Sequence, residues 1–171
     1  MKLYLTSILC VIAGIILDQY TKFLAVIHLQ DAPIVLIDGV FELRYLENRG
    51  AAFGMMQNQQ TFFLVMGVIL LIAVSILYVR LPQTNRFFPL RVCFVLLTSG
   101  AIGNMIDRAS VNYVVDFLYF KLIDFPIFNV ADIYVTVSAI LIMLLILFYY
   151  KEEELDDVFR VFSWKRKEKQ E

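Results

Sequence analysis

Polar residues in this chain are gathered into a few short stretches, separated by long runs that carry almost none. Four of those runs are long enough to cross a hydrocarbon layer of ~30 Å, which takes about 20 helical residues. They cover residues 3–27, 61–79, 87–106 and 128–150, the first interrupted only between Asp18 and Lys22. Leu9-Cys10 faintly suggests a lipoprotein cleavage site. A small residue is wanted before the cysteine there, however, and the apolar run continues through Leu17. The segment reads as a span and not as a cleaved signal peptide.

The connecting segments have a pattern of their own. Ile34 to Ile37, then Asp38-Gly39, then Val40 to Leu46 predict a β-hairpin, with Asp-Gly supplying the positive φ angles of a tight turn. Phe41, Leu43 and Tyr45 alternate with Glu42 and Arg44, which gives one apolar and one polar face. Residues 111–120 are likewise rich in β-branched and aromatic side chains. The expected architecture is a mainly α membrane protein, with four transmembrane helices and a small extracytoplasmic β platform on the outer membrane surface. It forms one unit over residues 1–150, with a charged tail at 151–171. In the tail, Leu155, Val158, Phe159 and Phe162 recur at helical spacing, with Trp164 and a basic cluster behind them. That pattern suits a helix in the cytoplasmic interface, and equally a solvated tail with incidental hydrophobes.

Composition strengthens the membrane reading. Hydrophobic residues make up 60% of the 171, against about 45–50% in a soluble domain, and charged residues 18% against about 25%. A domain of this size has too little interior to hide that much apolar surface. The net charge is −1 and no basic stripe appears, which argues against a nucleic-acid partner. With a single histidine, His28, and no HExxH, neither a metal nor another cofactor is expected. Cys10 and Cys93 lie inside apolar runs and read as buried thiols.

Lys and Arg placement orients the spans. Arg80, Arg86 and Arg91 occupy the loop between spans two and three without an acid. Lys2 precedes the first span, and Lys151, Arg160, Lys165, Arg166, Lys167 and Lys169 follow the last. Both termini are expected in the cytoplasm, with residues 28–60 and 107–127 outside. At ~1.5 Å per helical residue, that topology brings Asp18 and Lys22 to the outer third of their helix. Asn104, Asp107 and Arg108 then sit at the outer end of the third helix, and Asn129 and Asp132 in the first turns of the fourth. Asp116 lies just before them. Ionisable residues within spans are expensive and usually functional, and here separate segments deliver them to one layer.

Each piece also has a plainer role open to it. Asp18 and Lys22, spaced i,i+4, can neutralise each other. Asn129 with Asp132 resembles a helix N-cap with an acid in the first turn. Ser99, Gly100 and Gly103 suit a close helix contact, and Asp107 with Arg108 an interfacial ion pair. Asp116, between Val114-Val115 and Phe117-Leu118, has no adjacent partner. Two carboxylates brought together in a partly desolvated site share one proton. The ionised member can then take a proton from water while the other protonates a scissile carbonyl. Ser99 and Ser138 lack a matching base, and no GxSxG is present.

Five blocks resemble, in order, those of the bacterial lipoprotein signal peptidases (signal peptidase II). They are Asp18-Gln19-Tyr20-Thr21-Lys22, Asn48-Arg49-Gly50-Ala51-Ala52-Phe53-Gly54, Gly100-Ala101-Ile102-Gly103-Asn104-Met105-Ile106-Asp107-Arg108, Val115-Asp116-Phe117 and Phe128-Asn129-Val130-Ala131-Asp132. The resemblance implies an aspartic endopeptidase of the bacterial cytoplasmic membrane. It would cut diacylglyceryl-modified prolipoproteins on the N-terminal side of the lipidated cysteine. Asp116 and Asp132 become the catalytic pair. Asp18, Lys22, Asn48, Gly54, Asn104, Asp107, Arg108, Asn129 and Ala131 become supporting or substrate-binding residues. Among them, Asn104 and Arg108 are expected to fix the aspartates and Asn48 to contact the substrate backbone. Membrane lipids are implied neighbours, and no obligate protein partner is evident. The competing classes are a small transporter or proton relay, which normally needs ionisable groups at several depths, and a structural membrane subunit.

Overall fold

The computed structural model describes residues 2–50 and 56–159. Its order is α1 (Lys2–His28), β1 (Ile34–Ile37), β2 (Phe41–Asn48), α2 (Gln60–Arg80), α3 (Phe88–Val111), β3 (Val114–Phe120), α4 (Val130–Leu144) and α5 (Glu152–Phe159). A 3-10 turn, Asn85–Phe87, leads into α3, and a π-helical turn, Leu145–Tyr149, extends α4. Four of the helices are long and apolar enough to cross a membrane. Their outward faces stay apolar, as with Leu5, Ile12, Ile16 and Phe23 on α1 and Ile69 and Ile72 on α2. A helix apolar all round is expected where the surrounding solvent is lipid.

Helix α3 is the centre of the bundle and packs against α1, α2 and α4. Small residues let its neighbours approach. A Cβ on Gly100 would come 2.5 Å from the Ala131 carbonyl oxygen, and one on Gly103 would come 2.5 Å from Asp18 Oδ2. The far end of the bundle closes on Val74, Leu81, Phe87, Leu90 and Phe94. There Phe87 stacks on Tyr150 with ring centroids 5.0 Å apart.

At the other end the three strands form one antiparallel sheet in the order β1-β2-β3. Its inner face sets Val115 and Phe117 against Ala25 and Leu29 near the end of α1. Between the pairs Leu43↔Leu118 and Leu46↔Asp116, β2 holds one residue more than β3, a bulge that re-aims the strand. Phe128 then joins the sheet edge, its carbonyl accepting from the Phe117 and Leu118 amides and its own amide donating to Leu118. That bridge holds the start of α4 beside β3.

Several boundaries differ from the sequence pattern, each for a local reason. The third span runs on past Ile106 to Val111, because Asp107 is buried, ion-paired to Lys22 of α1, and does not end the helix. Asn112, at φ 63°, caps it in the left-handed region, so β3 starts at Val114. The hairpin turn places only Gly39 at positive φ, +69°, with the Val40 amide bonded to the Ile37 carbonyl. This is the type II pattern, and β2 begins at Phe41. Cys93 is buried, but Cys10 is exposed on the outside of α1. The tail begins as a helix whose Leu155 and Val158 pack into the far-end core rather than into lipid. Arg86 ties it down through Glu154 at 3.0 Å. Phe162, Trp164 and the basic cluster lie outside the described residues.

The contact of α3 with α4 yields a test. Gly100→Ala meets a backbone carbonyl that cannot turn aside, so a loss of about 1–3 kcal/mol is expected. Thermal unfolding in detergent measures it, and an unchanged midpoint would contradict this packing.

Candidate active site

The site is built around a buried ammonium. Lys22, 3% exposed, sits one turn after Asp18 on α1. Its Nζ lies 2.9 Å from Asp18 Oδ2, 2.9 Å from Asp107 Oδ2 and 2.9 Å from Asn104 Oδ1. Three acceptors match the three hydrogens of an ammonium. The remaining carboxylate oxygens are also occupied. Asp18 Oδ1 accepts from the Ala131 amide at 2.9 Å, and Asp107 Oδ2 also accepts from the Val115 amide at 3.2 Å. Gln19 Nε2 donates to Asp107 Oδ1 at 2.9 Å and to Asp18 Oδ2 at 3.2 Å. Charges from α1 and α3 thereby grip the first turn of α4 and β3.

The same ammonium sets the direction of two amide side chains. With its Oδ1 facing Lys22, Asn104 must turn its Nδ2 away, and it donates to Asp132 Oδ1 at 2.8 Å. Asn129 is the N-cap of α4 in a full capping box. Its Oδ1 accepts from the Asp132 amide at 2.9 Å, while its own amide donates to Asp132 Oδ2 at 3.1 Å. That leaves Asn129 Nδ2 for Asp116 Oδ1, at 2.6 Å. Asn48, across the sheet, donates to Asp116 Oδ2 at 2.8 Å and takes the Gly50 amide on its own oxygen. One residue, Asn129, therefore bonds both aspartates.

Asp116 is 1% exposed. Burial first, and then the negative charge of Asp132, push its carboxyl up to about 7; the Asn48 and Asn129 amides oppose this by favouring the ionised form. Both aspartates open onto a cleft of about 630 Å³, lined also by Asn48, Asn104, Arg108 and Phe128. Arg108 donates to the Asn104 carbonyl at 3.4 Å and the Gly50 carbonyl at 3.3 Å, and lies over the Phe63 ring. Its Nε is buried without a partner. Among the described residues, no three His, Cys, Asp or Glu side chains converge to hold a metal ion.

Of the residues singled out in the sequence, Asp18, Lys22, Asn48, Asn104, Asp107, Asn129, Ala131, Asp116 and Asp132 are joined by this network, and Arg108 lines the same cleft. Gly54 lies outside the described residues. Some pairings differ from those the sequence suggested. Asp107 binds Lys22 and Gln19 instead of forming a pair with Arg108. Arg108 bonds main-chain carbonyls rather than either aspartate, and Asn48 is engaged with Asp116. Gln19 was not singled out, although an amide beside Asp18 in an otherwise apolar helix was a signal for it.

The family model described as signal peptidase (SPase) II matches residues 10–148. A lipoprotein signal peptidase of Streptococcus thermophilus (strain CNRZ 1066) is 43% identical over 135 residues, 78% of this chain and 87% of the relative. One from Clostridium tetani (strain Massachusetts / E88) is 42% identical over 142 residues, 81% of this chain and 90% of that one. Among solved structures, a bacterial membrane enzyme determined by the in meso method at 1.9 Å superposes with a TM-score of 0.75 at 34% identity. It covers 85% of this chain and 94% of its own.

Lys22→Met keeps an unbranched apolar stem, one atom shorter, and removes the charge. It leaves Asp18 and Asp107 buried without their cation, so a loss of about 3–5 kcal/mol is expected. Chemical unfolding in detergent checks this, and a wild-type midpoint would contradict the network.

Proposed function

The chain belongs to the signal peptidase II family, and on that premise we propose that Asp116 and Asp132 are the pair with which it cuts its substrate. It is a multi-pass membrane aspartic peptidase that removes signal peptides from prolipoproteins. The finer reading is cleavage N-terminal to a diacylglyceryl-modified cysteine. The sheet end then faces the outer leaflet of the bacterial cytoplasmic membrane and both termini face the cytoplasm, as the Lys and Arg distribution favours. A lipid-anchored substrate presents its scissile bond at that layer, and anchoring raises its effective concentration there.

The observation that carries the proposal is the bonding of both aspartates by Asn129 at the floor of the cleft. The pair holds one proton. The ionised carboxylate takes a proton from water as the water oxygen bonds to the carbonyl carbon, and the protonated carboxyl gives its proton to the carbonyl oxygen. In collapse, a gem-diol hydroxyl returns its proton to the free carboxylate and the other carboxyl protonates the amide nitrogen. The C–N bond breaks, and the pair again holds one proton. The fixed amides of Asn48, Asn104 and Asn129 hold the carboxylates in place throughout. Arg108, with an unpartnered Nε beside the cleft, adds positive charge where the oxyanion develops.

Asp116→Asn and Asp132→Asn are each expected to lower cleavage of a lipidated prolipoprotein by at least ~10²–10⁴-fold, with folding and membrane insertion retained. Cleavage surviving in either variant would contradict the pair. The pH profile carries a sign. A carboxyl raised from 3.8 to about 7 keeps its proton below that value, so turnover falls as pH rises through about 7. The folded state also binds this proton more tightly than the unfolded chain. Its contribution to stability therefore shrinks as pH rises from about 4 to 7. A rate that climbs through pH 8 would overturn the shared-proton reading.

A further inference from the structure

Helix α4 carries two hydroxyls, of Tyr134 and Thr136, that hydrogen-bond nothing among the described residues, and of the two only Thr136 lines the cleft. Thr136 lies a full turn beyond Asp132 and lines the same cleft. Its neighbours along that stretch, Ile133, Val137 and Ile140, are exposed apolar side chains at membrane depth. Hydroxyls in these helices commonly bond back to the main chain. Ser7, Ser99 and Ser110 donate to the carbonyl four residues before them, and Ser138, two residues after Thr136, donates to Val135. Thr136 makes no such bond among the described residues. Its side chain is exposed, so the hydroxyl is open to a ligand lying in the cleft.

Substrate geometry supplies the partner. A signal peptide enters the cleft from the membrane, and the residues next to the scissile bond must leave helical form to be cut. Extended backbone at that depth needs protein donors and acceptors. The amide and carboxyl groups of Asn104 and Asp132 beside it are already committed. Asn104 bonds Lys22, Asn129 and Asp132, and Asp132 is held by Asn104 and by the Asn129 amide. One helical turn is ~6 Å along α4, and an extended chain covers that in about two residues at ~3.3 Å each.

We infer that the Thr136 hydroxyl binds the substrate's main chain about two residues before the scissile bond, on the signal-peptide side. This rests on the peptidase reading above. It makes Thr136 a substrate-positioning residue in this chain, acting on the backbone and not on side-chain identity.

The test uses full-length enzyme in detergent with two synthetic diacylglyceryl-modified prolipoprotein peptides. They differ in one linkage: the amide two residues upstream of the scissile bond is replaced in the second by an ester. On the amide substrate, Thr136→Val is expected to lower kcat/KM ~3–10-fold, the effect of one neutral hydrogen bond. On the ester substrate the wild type is already slowed, and Thr136→Val removes less than about a further twofold, because the bond is lost once and not twice. Thr136→Ser keeps the hydroxyl and restores the difference between the two substrates. Equal rates for wild type and Thr136→Val on the amide substrate would overturn the inference, as would the same fold-loss on both substrates. A wild-type enzyme that cuts neither peptide would overturn the peptidase reading itself, a separate and recognisable result.

Discussion

Everything in the site depends on one ammonium group held among three oxygens. Lys22 can only donate, so whatever faces it must accept. Asp18 and Asp107 meet that demand with charge, and Asn104 meets it with its amide oxygen. An asparagine side chain is otherwise close to symmetric in shape, and either orientation would fit the space. The cation breaks the symmetry and sends the Asn104 NH₂ group to Asp132. The capping box does the same for Asn129 by a different route. The Asp132 backbone amide claims its oxygen, which leaves its NH₂ for Asp116. Two carboxylates are thus oriented by donors that have no freedom to turn.

The fold serves that arrangement. Buried ion pairs seldom add net stability over apolar packing, but losing one partner is expensive, so such a cluster specifies geometry more than it stabilises. Here it ties four segments that share no sequence neighbourhood: α1 through Asp18 and Lys22, α3 through Asn104 and Asp107, β3 through the Val115 amide, and α4 through the Ala131 amide. Gly100 and Gly103 let α3 come close enough for those bonds to form. The Phe128 bridge keeps β3, and with it Asp116, beside the first turn of α4. Lipid on the outside contributes no polar competitors, which is why so compact a set of charges can be fully satisfied from within.

Much of this was legible in the sequence because depth in a membrane is a one-dimensional quantity. Counting helical residues from each span's start was enough to put Asp18, Lys22, Asn104, Asp107, Asn129 and Asp132 in one layer. Pairing within the layer is a matter of azimuth and was not legible. Asp107 stood next to Arg108 in the chain, yet it faces Lys22 across the α1–α3 contact, and a helix of 24 residues runs through the point where the charges suggested an end. Gln19 went unremarked because a neutral amide carries no charge to flag it. In the tail, the helical spacing of Leu155 and Val158 was visible, but spacing does not say whether an apolar face meets lipid or protein. Arg86 and the far-end aromatics decide that.

The central claim is that the two aspartates share a single proton. Infrared difference spectroscopy of the purified enzyme, titrated from pH 5 to 9, tests it most directly through the carbonyl stretch of a protonated carboxyl. The account predicts one such band, lost near pH 7 and absent from the Asp116→Asn, Asp132→Asn double variant. An enzyme with no protonated carboxyl in this site at pH 5, both aspartates being ionised throughout the range, would contradict it.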